Sequence, residues 1–259
     1  MNNKLSIAYF YPDLLNLYGD NGNVEIISQR ALKRGIEVEV MNISIDSGFD
    51  ASFMQKVNFV FMGGGPDSGQ KSMYGDLVNN KKELLREYTE NNGVGLYICG
   101  SYQLFGHYYK SADGTVLNGL GIFDLHTEHF GEKKPRCIGN TQAELSEIIT
   151  NDPVFKNVNK LDTTLVGFEN HGGRTYLGKN IAPLAKVVVG HGNNSEDKTE
   201  GAVYKKSYGT YFHGPFLARN PHFADYLIAQ ALQISGEELP PLDDALIIAA
   251  HTASKKLKQ

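Results

Sequence analysis

Three short apolar runs and one alternating run in the first hundred residues constrain this chain more than any other feature. The apolar runs are Leu5–Phe10, Asn58–Met62 and Gly95–Ile98, and Glu37–Asn42 alternates as EVEVMN. Runs of this length read as strands, and the continuous ones as strands buried on both faces. Helical stretches lie between them. Val24–Arg34 places Val24, Ile27 and Ala31 on one face, with Gly35 as its stop. Asp76–Asn91 offers Leu77, Leu84, Leu85 and Tyr88 for packing, and a further helix is predicted from Cys99 towards Lys110. Strands alternating with helices predict an α/β fold whose central sheet is mostly parallel and covered by helices on both faces, a three-layer arrangement. Ligands bind such sheets beyond the carboxyl ends of the strands. Three segments fall there: the turn-rich loop Asn16–Asn23 around Asp20, the triple glycine Gly63–Gly65, and Cys99.

From about Gly119 the pattern changes. Short strands at Thr164–Phe168, Ala185–Val189, Ala202–Lys206 and Gly209–Phe212 are separated by turns rich in glycine and asparagine. Helices follow at Pro221–Ser235 and Asp243–Gln259, with a break over Gly236–Pro241. This divides the chain into a main unit, residues 1–236, and a helical tail, residues 237–259, which reads either as a packed terminal helix or as a contact for a partner. The 259 residues suffice for a sizeable core. Two cysteines cannot build a disulfide framework or a four-cysteine zinc site. A formal net charge of −4 argues against nucleic acid as the main partner. No apolar stretch approaches the ~18 residues of a membrane span, and the short lead into the first strand does not read as a signal peptide. A soluble cytoplasmic protein is the expectation.

The segment Leu96-Tyr97-Ile98-Cys99-Gly100-Ser101-Tyr102-Gln103 sets a cysteine between an apolar strand and a helix. That is the arrangement of a nucleophile elbow, where a tight turn exposes the side chain at a helix N-terminus that favours thiolate. The alternative is a buried structural cysteine, the reading given to Cys137. A nucleophilic cysteine needs a base. His213, at a strand end entering Gly214-Pro215, is the leading choice, and His171 in Gly167–Tyr176 (GFENHGGRTY) is its rival. Either could instead be a hydrogen-bonded structural histidine. Backbone N–H groups of Gly64 or Gly65, with Gly100, are candidate oxyanion donors. A phosphate-loop reading of Gly64–Ser72 fails because Gln70 displaces Lys71 by one position. His126-Thr127-Glu128-His129 lacks a third strong ligand and the spacing of a zinc helix, so no metal site is expected.

These residues resemble a known group, the class I glutamine amidotransferases of the cobyric-acid-synthase-like branch. Cys99–Gln103 is similar to that group's nucleophile motif and Gly209–Gly214 to its histidine motif. Within the branch, the segments Leu15–Asn23 (LNLYGDNGN), Phe61–Gly65, Gly119–Glu128 and GFENHGGRTY resemble the glutaminase subunits (GatD) of lipid II isoglutaminyl synthase. The resemblance implies a flavodoxin-like fold and the hydrolysis of glutamine to glutamate and ammonia, with Cys99 carrying a glutamyl thioester. It also implies a Mur-ligase-like partner (MurT) that binds ATP and Mg²⁺ and amidates the α-carboxylate of D-glutamate in lipid II. This chain would hold no cofactor and would work at the inner face of the membrane. The resemblance also implies Gln103, Arg136, Asp20 and His171 as substrate-binding residues, Asp20 at a position near the active site and His171 within the shared GFENHGGRTY motif. One departure stands out. The wider class places a glutamate two residues after the histidine, and here that residue is Pro215. A Cys99–His213 dyad follows, unless an Asp or Glu from elsewhere orients the ring. A stand-alone cysteine hydrolase acting on γ-glutamyl or other amides, and a non-catalytic binding module, are the competing readings.

Overall fold

A computed structural model describes residues 3–45 and 47–257. The first half runs β1 (Lys4–Phe10), α1 (Asn21–Leu32), β2 (Glu37–Ile43), a single turn α2 (Ala51–Met54), β3 (Phe59–Met62), α3 (Asp67–Asp76), α4 (Lys82–Glu90), β4 (Val94–Ile98) and α5 (Gly100–Leu104). The second half runs β5 (Tyr108–Lys110), β6 (Val116–Asn118), β7 (Leu125–His129), β8 (Cys137–Leu145), α6 (Glu147–Thr150), α7 (Pro153–Val158), β9 (Thr164–His171), β10 (Gly173–Leu177), β11 (Ala185–Val189), β12 (Thr199–Glu200), β13 (Ala202–Tyr204), β14 (Ser207–Thr210), β15 (Phe212–His213), α8 (Pro221–Leu232) and α9 (Ala245–Ser254).

The central sheet has the order β13-β14-β4-β3-β1-β2, parallel throughout except for β13 at one edge. Its apolar runs serve two cores at once because successive side chains point to opposite faces. Leu5, Ile7, Phe59, Phe61, Leu96 and Ile98 enter one core, with α1 and α8. Ala8, Phe10, Val60, Met62 and Tyr97 enter the other. Two further sheets carry the second half: β10-β7-β5-β6, and the antiparallel β12-β11-β8-β9-β15. The sheet β12-β11-β8-β9-β15 delivers His213 to the rim where β3 and β4 end.

Three predicted elements differ. The stretch Asp76–Asn91 is not one helix: α3 begins at Asp67, and a π-turn over Leu77–Lys81 separates it from α4. That turn buries Lys81 against Asp76, which also accepts from the Tyr11 hydroxyl at 2.9 Å. The helix after Cys99 stops at Leu104 and the chain enters β5, because the segment from Phe105 to Phe123 folds back in backbone hydrogen bonds: Leu120 N–H to Leu104 O at 2.8 Å, and Ile122 N–H to Phe105 O at 3.0 Å. The terminal helix spans Ala245–Ser254, and residues 258–259 of the predicted helix lie outside the described residues. The tail is bonded to the body. Arg30 bridges Asp225 of α8 and Asp244 at 2.7 Å, and Lys255 reaches Asp162 at 2.7 Å. Among the described residues no helix is long and apolar enough to cross a membrane.

Candidate active site

Cys99 occupies the turn from β4 to α5 with φ 50° and ψ −103°, a backbone conformation that persists only where its surroundings enforce it. Here they do. Cys99 N–H donates to Thr210 O at 2.8 Å, and the Ser101 hydroxyl donates to the carbonyls of Met62 and Ile98 at 2.7 and 3.0 Å. The turn is thereby fastened to β14 on one side and β3 on the other, with Cys99 half-buried.

His213 is fully buried. Its Nδ1 lies 3.1 and 3.2 Å from the two carboxylate oxygens of Asp20, itself fully buried. A carboxylate only accepts, so Nδ1 carries the proton and Nε2 is left as the working nitrogen. Nε2 is buried and has no hydrogen-bond partner among the described residues. The groups converge on Gly64, where a Cβ would stand 2.9 Å from His213 Cε1, 3.0 Å from Cys99 Cβ and 3.2 Å from Asp20 Oδ2. Burial opposes a charged imidazole, but the negative charge of Cys99 and the hydrogen bond to Asp20 outweigh it and push His213 up to about 10.

Asp20 answers the question that Pro215 raises. A Cβ on Gly22 would lie 2.3 Å from Pro215 Cγ, so the start of α1 packs directly against the turn after His213. That approach puts the residue preceding α1, Asp20, within reach of the ring. The carboxylate also accepts the Gly64 N–H at 2.8 Å. This corrects one expectation: a backbone N–H bonded to Asp20 is not available to an oxyanion. Gly65 and Gly100 remain as rim donors, Gly100 because the first N–H groups of a helix lack intrahelical acceptors.

Gln103 is buried one turn along α5 from Cys99, and its Nε2 donates to the Tyr211 hydroxyl at 3.0 Å. Arg136 lies at the exposed edge. Its Nε and Nη2 donate to Asn170 Oδ1 at 3.1 and 2.9 Å. Asn170 Nδ2 in turn donates to the Tyr18 hydroxyl at 2.6 Å, and the Tyr18 ring stands edge-on to His213 at 4.9 Å. His171, the rival base and implied substrate contact, is held differently from His213. It is buried, stacked on Tyr211 at 3.6 Å, with Nδ1 against Gly173 O at 2.8 Å, and burial lowers its pKa. Cys137 is buried beside Ser195 at 3.2 Å, and burial pushes its thiol up. His126 belongs to β7, its ring stacked between Tyr108 and Tyr176 at 5.0 and 5.4 Å.

Four residues at or beside the site escape the sequence reading. Tyr18 and Asn170 sit inside motifs that were read for other members. Gln70, the residue that spoils the phosphate-loop spacing, donates to Gly65 O at 3.0 Å and fills the space over Gly100, where a Cβ would meet it at 2.5 Å. Tyr211 likewise lies inside the Gly209–Gly214 motif that was read for His213.

Residues 6–221 match the CobB/CobQ-like glutamine amidotransferase domain. The chain is 39% identical over 246 residues to the lipid II isoglutaminyl synthase (glutamine-hydrolyzing) subunit GatD of Streptococcus pneumoniae, covering 94% of this chain and 87% of that one. It is 40% identical over 238 residues to the GatD subunit of Staphylococcus aureus, covering 92% and 88%. A solved glutamine amidotransferase of Thermotoga maritima shares the fold at a TM-score of 0.53 and 15% identity, covering 97% of this chain and 92% of that one. The fold is accordingly that of class I glutamine amidotransferases, and the chain belongs to the CobB/CobQ-like glutamine amidotransferase family, among its GatD subunits.

Proposed function

We propose that this chain is the glutamine-hydrolysing subunit of a lipid II isoglutaminyl synthase and works through Cys99, His213 and Asp20. The observation that carries the reading is the convergence of these three side chains on Gly64, with His213 held by Asp20 through Nδ1 and Nε2 left unpaired. The thiol proton rests on His213 as a thiolate–imidazolium pair, and the thiolate attacks the side-chain carbonyl carbon of glutamine. Gly65 and Gly100 N–H groups stabilise the resulting oxyanion, an effect of about 3 kcal/mol per donor. The imidazolium returns its proton to the departing nitrogen, which leaves as ammonia with formation of the glutamyl thioester. Water, deprotonated by His213, then attacks the thioester, and glutamate departs as Cys99 regains its proton. Arg136 at the edge suits the substrate α-carboxylate, and Gln103 lies beneath the nucleophile.

The relatives are named as subunits, so the ammonia is destined for a partner. We assign that role to a MurT-like Mur ligase that binds ATP and Mg²⁺ and aminates the α-carboxylate of D-glutamate in lipid II, at the inner face of the membrane. The tail offers a contact: α9 reads ALIIAAHTAS, and Leu246 on its outer side is 87% exposed.

The test is ammonia release from glutamine by wild type and Cys99→Ala, each alone and with the ligase partner, lipid II and ATP. Turnover by the wild type and its loss in Cys99→Ala are expected, with amidated lipid II only when both subunits are present. Full activity in Cys99→Ala sinks the mechanism. Hydrolysis of γ-glutamyl peptides in preference to glutamine, without any stable partner, would point to a free-standing hydrolase.

A further inference from the structure

Beneath the nucleophile lies a buried chain of hydroxyls whose direction matters. The Tyr211 hydroxyl accepts from Gln103 Nε2 at 3.0 Å and lies 2.6 Å from Thr175 Oγ1, which is 2.7 Å from Thr127 Oγ1. Tyr211, Thr175 and Thr127 are all fully buried, and the Tyr211 ring is clamped between His171 at 3.6 Å and Tyr102 at 5.3 Å. A phenol oxygen accepts as well as donates. Toward Gln103 it accepts, and its remaining hydrogen-bonding capacity is met by the threonine hydroxyls beneath it.

In this arrangement the oxygen end of the Gln103 carboxamide is the one left for the cleft. The NH₂ end is committed to Tyr211, and Oε1 makes no hydrogen bond among the described residues, nor is it among their sealed unpaired polar atoms. Gln103 stands one helical turn from Cys99, its N–H bonded to Cys99 O at 3.0 Å, so it shares the nucleophile's side of α5. An amide oxygen is an acceptor for a cation, whereas a flipped amide would present two donors and repel one.

We propose that Tyr211 is a positioning residue for substrate selection: by holding the NH₂ of Gln103 it presents the amide oxygen to the α-ammonium group of glutamine. Arg136, a donor only, takes the α-carboxylate, so the two ends of the zwitterion meet opposite chemistries. The inference deepens the reading of Gln103 as a substrate contact and rests on it.

The experiment compares wild type, Tyr211→Phe and Thr175→Val with two ligands: glutamine, and 4-carbamoylbutanoate, which is glutamine without its α-amino group. Tyr211→Phe keeps the ring and its stacking but frees the amide to flip. For glutamine, KM should rise about ten-fold with kcat within about three-fold, the loss of one charge-assisted hydrogen bond. For the des-amino compound, read as a substrate or as a competitive inhibitor, the constants of wild type and variant should agree within about two-fold, since no ammonium is there to be lost. Thr175→Val, which removes the hydroxyl that holds the phenol in place at 2.6 Å, should shift glutamine in the same direction. Equal losses for both ligands would make Tyr211 a packing residue and overturn the proposal, as would an unchanged KM for glutamine in Tyr211→Phe. Gln103→Ala separates the two levels: an unchanged glutamine KM there removes the underlying reading, whereas a raised KM there with none in Tyr211→Phe removes only the role of Tyr211.

Discussion

Asp20 is the residue on which the electrostatics of the site turn. Its carboxylate holds His213 Nδ1 and the Gly64 N–H together. Asp20→Asn keeps an acceptor but removes a charge, so the imidazolium loses support and its pKa falls from about 10. The alkaline limb of kcat/KM should move to lower pH, and kcat should drop about 10²- to 10⁴-fold. A pH–rate profile of the variant with an unmoved alkaline limb would contradict this. The sign for stability follows from the same shift. A raised histidine pKa stabilises the fold fully below the unfolded value near 6.5, and the contribution fades as pH climbs towards 10. Gly64→Ala should cost about 10²-fold or more in activity, because its Cβ intrudes among Cys99, His213 and Asp20. At this scale the sequence was informative about Cys99 and His213, whose strand-end settings are local. It was silent on Asp20 as the orienter, because that pairing spans 193 positions. It was equally silent on the bond between the Gly64 N–H and Asp20, because no local pattern tells which N–H a distant carboxylate will take.

Among the elements, α1 is tied to the end of the chain by buried ion pairs. Arg30 on it and Arg34 in the turn just past its end both bind Asp225 of α8, and Arg30 also binds Asp244 ahead of α9, all with little exposure. Removing one partner strands buried charge. Asp225→Ala should therefore lower stability by about 3–5 kcal/mol, measurable as a shifted urea midpoint. A change below about 1 kcal/mol would mean that water or Asp244 compensates. The strands β1, β3 and β4 were legible because burial on both faces demands uninterrupted apolar runs, and the edge strand β2 was legible by its alternation. By contrast β8, reading CIGNTQAEL, has Ile138 exposed and polar residues throughout. Its strand character comes from pairing with β9 and β11, a tertiary cause that composition does not record. The helix after Cys99 was overextended for a similar reason, since its end is set by a returning backbone segment.

For the molecule as a whole, the division of labour with a partner places demands on the surface. Leu246→Asp, on the outer side of α9, should leave stability within about 0.5 kcal/mol and glutaminase turnover unchanged. It should weaken association with the ligase partner at least about ten-fold, as read by co-purification or calorimetry. Retained affinity would remove α9 from the interface. Sheet order carries another consequence. Strand β4, buried along its whole length, ends at Ile98, but its neighbour β14 is not made until residues 207–210. During synthesis the apolar strand that ends in the nucleophile waits as an open edge while β5 to β13 are translated. Such an edge invites pairing with other chains. The nascent protein is thus most vulnerable to aggregation over the same interval in which Cys99 lacks its histidine, and a truncated product ending before β14 would be both sticky and inert.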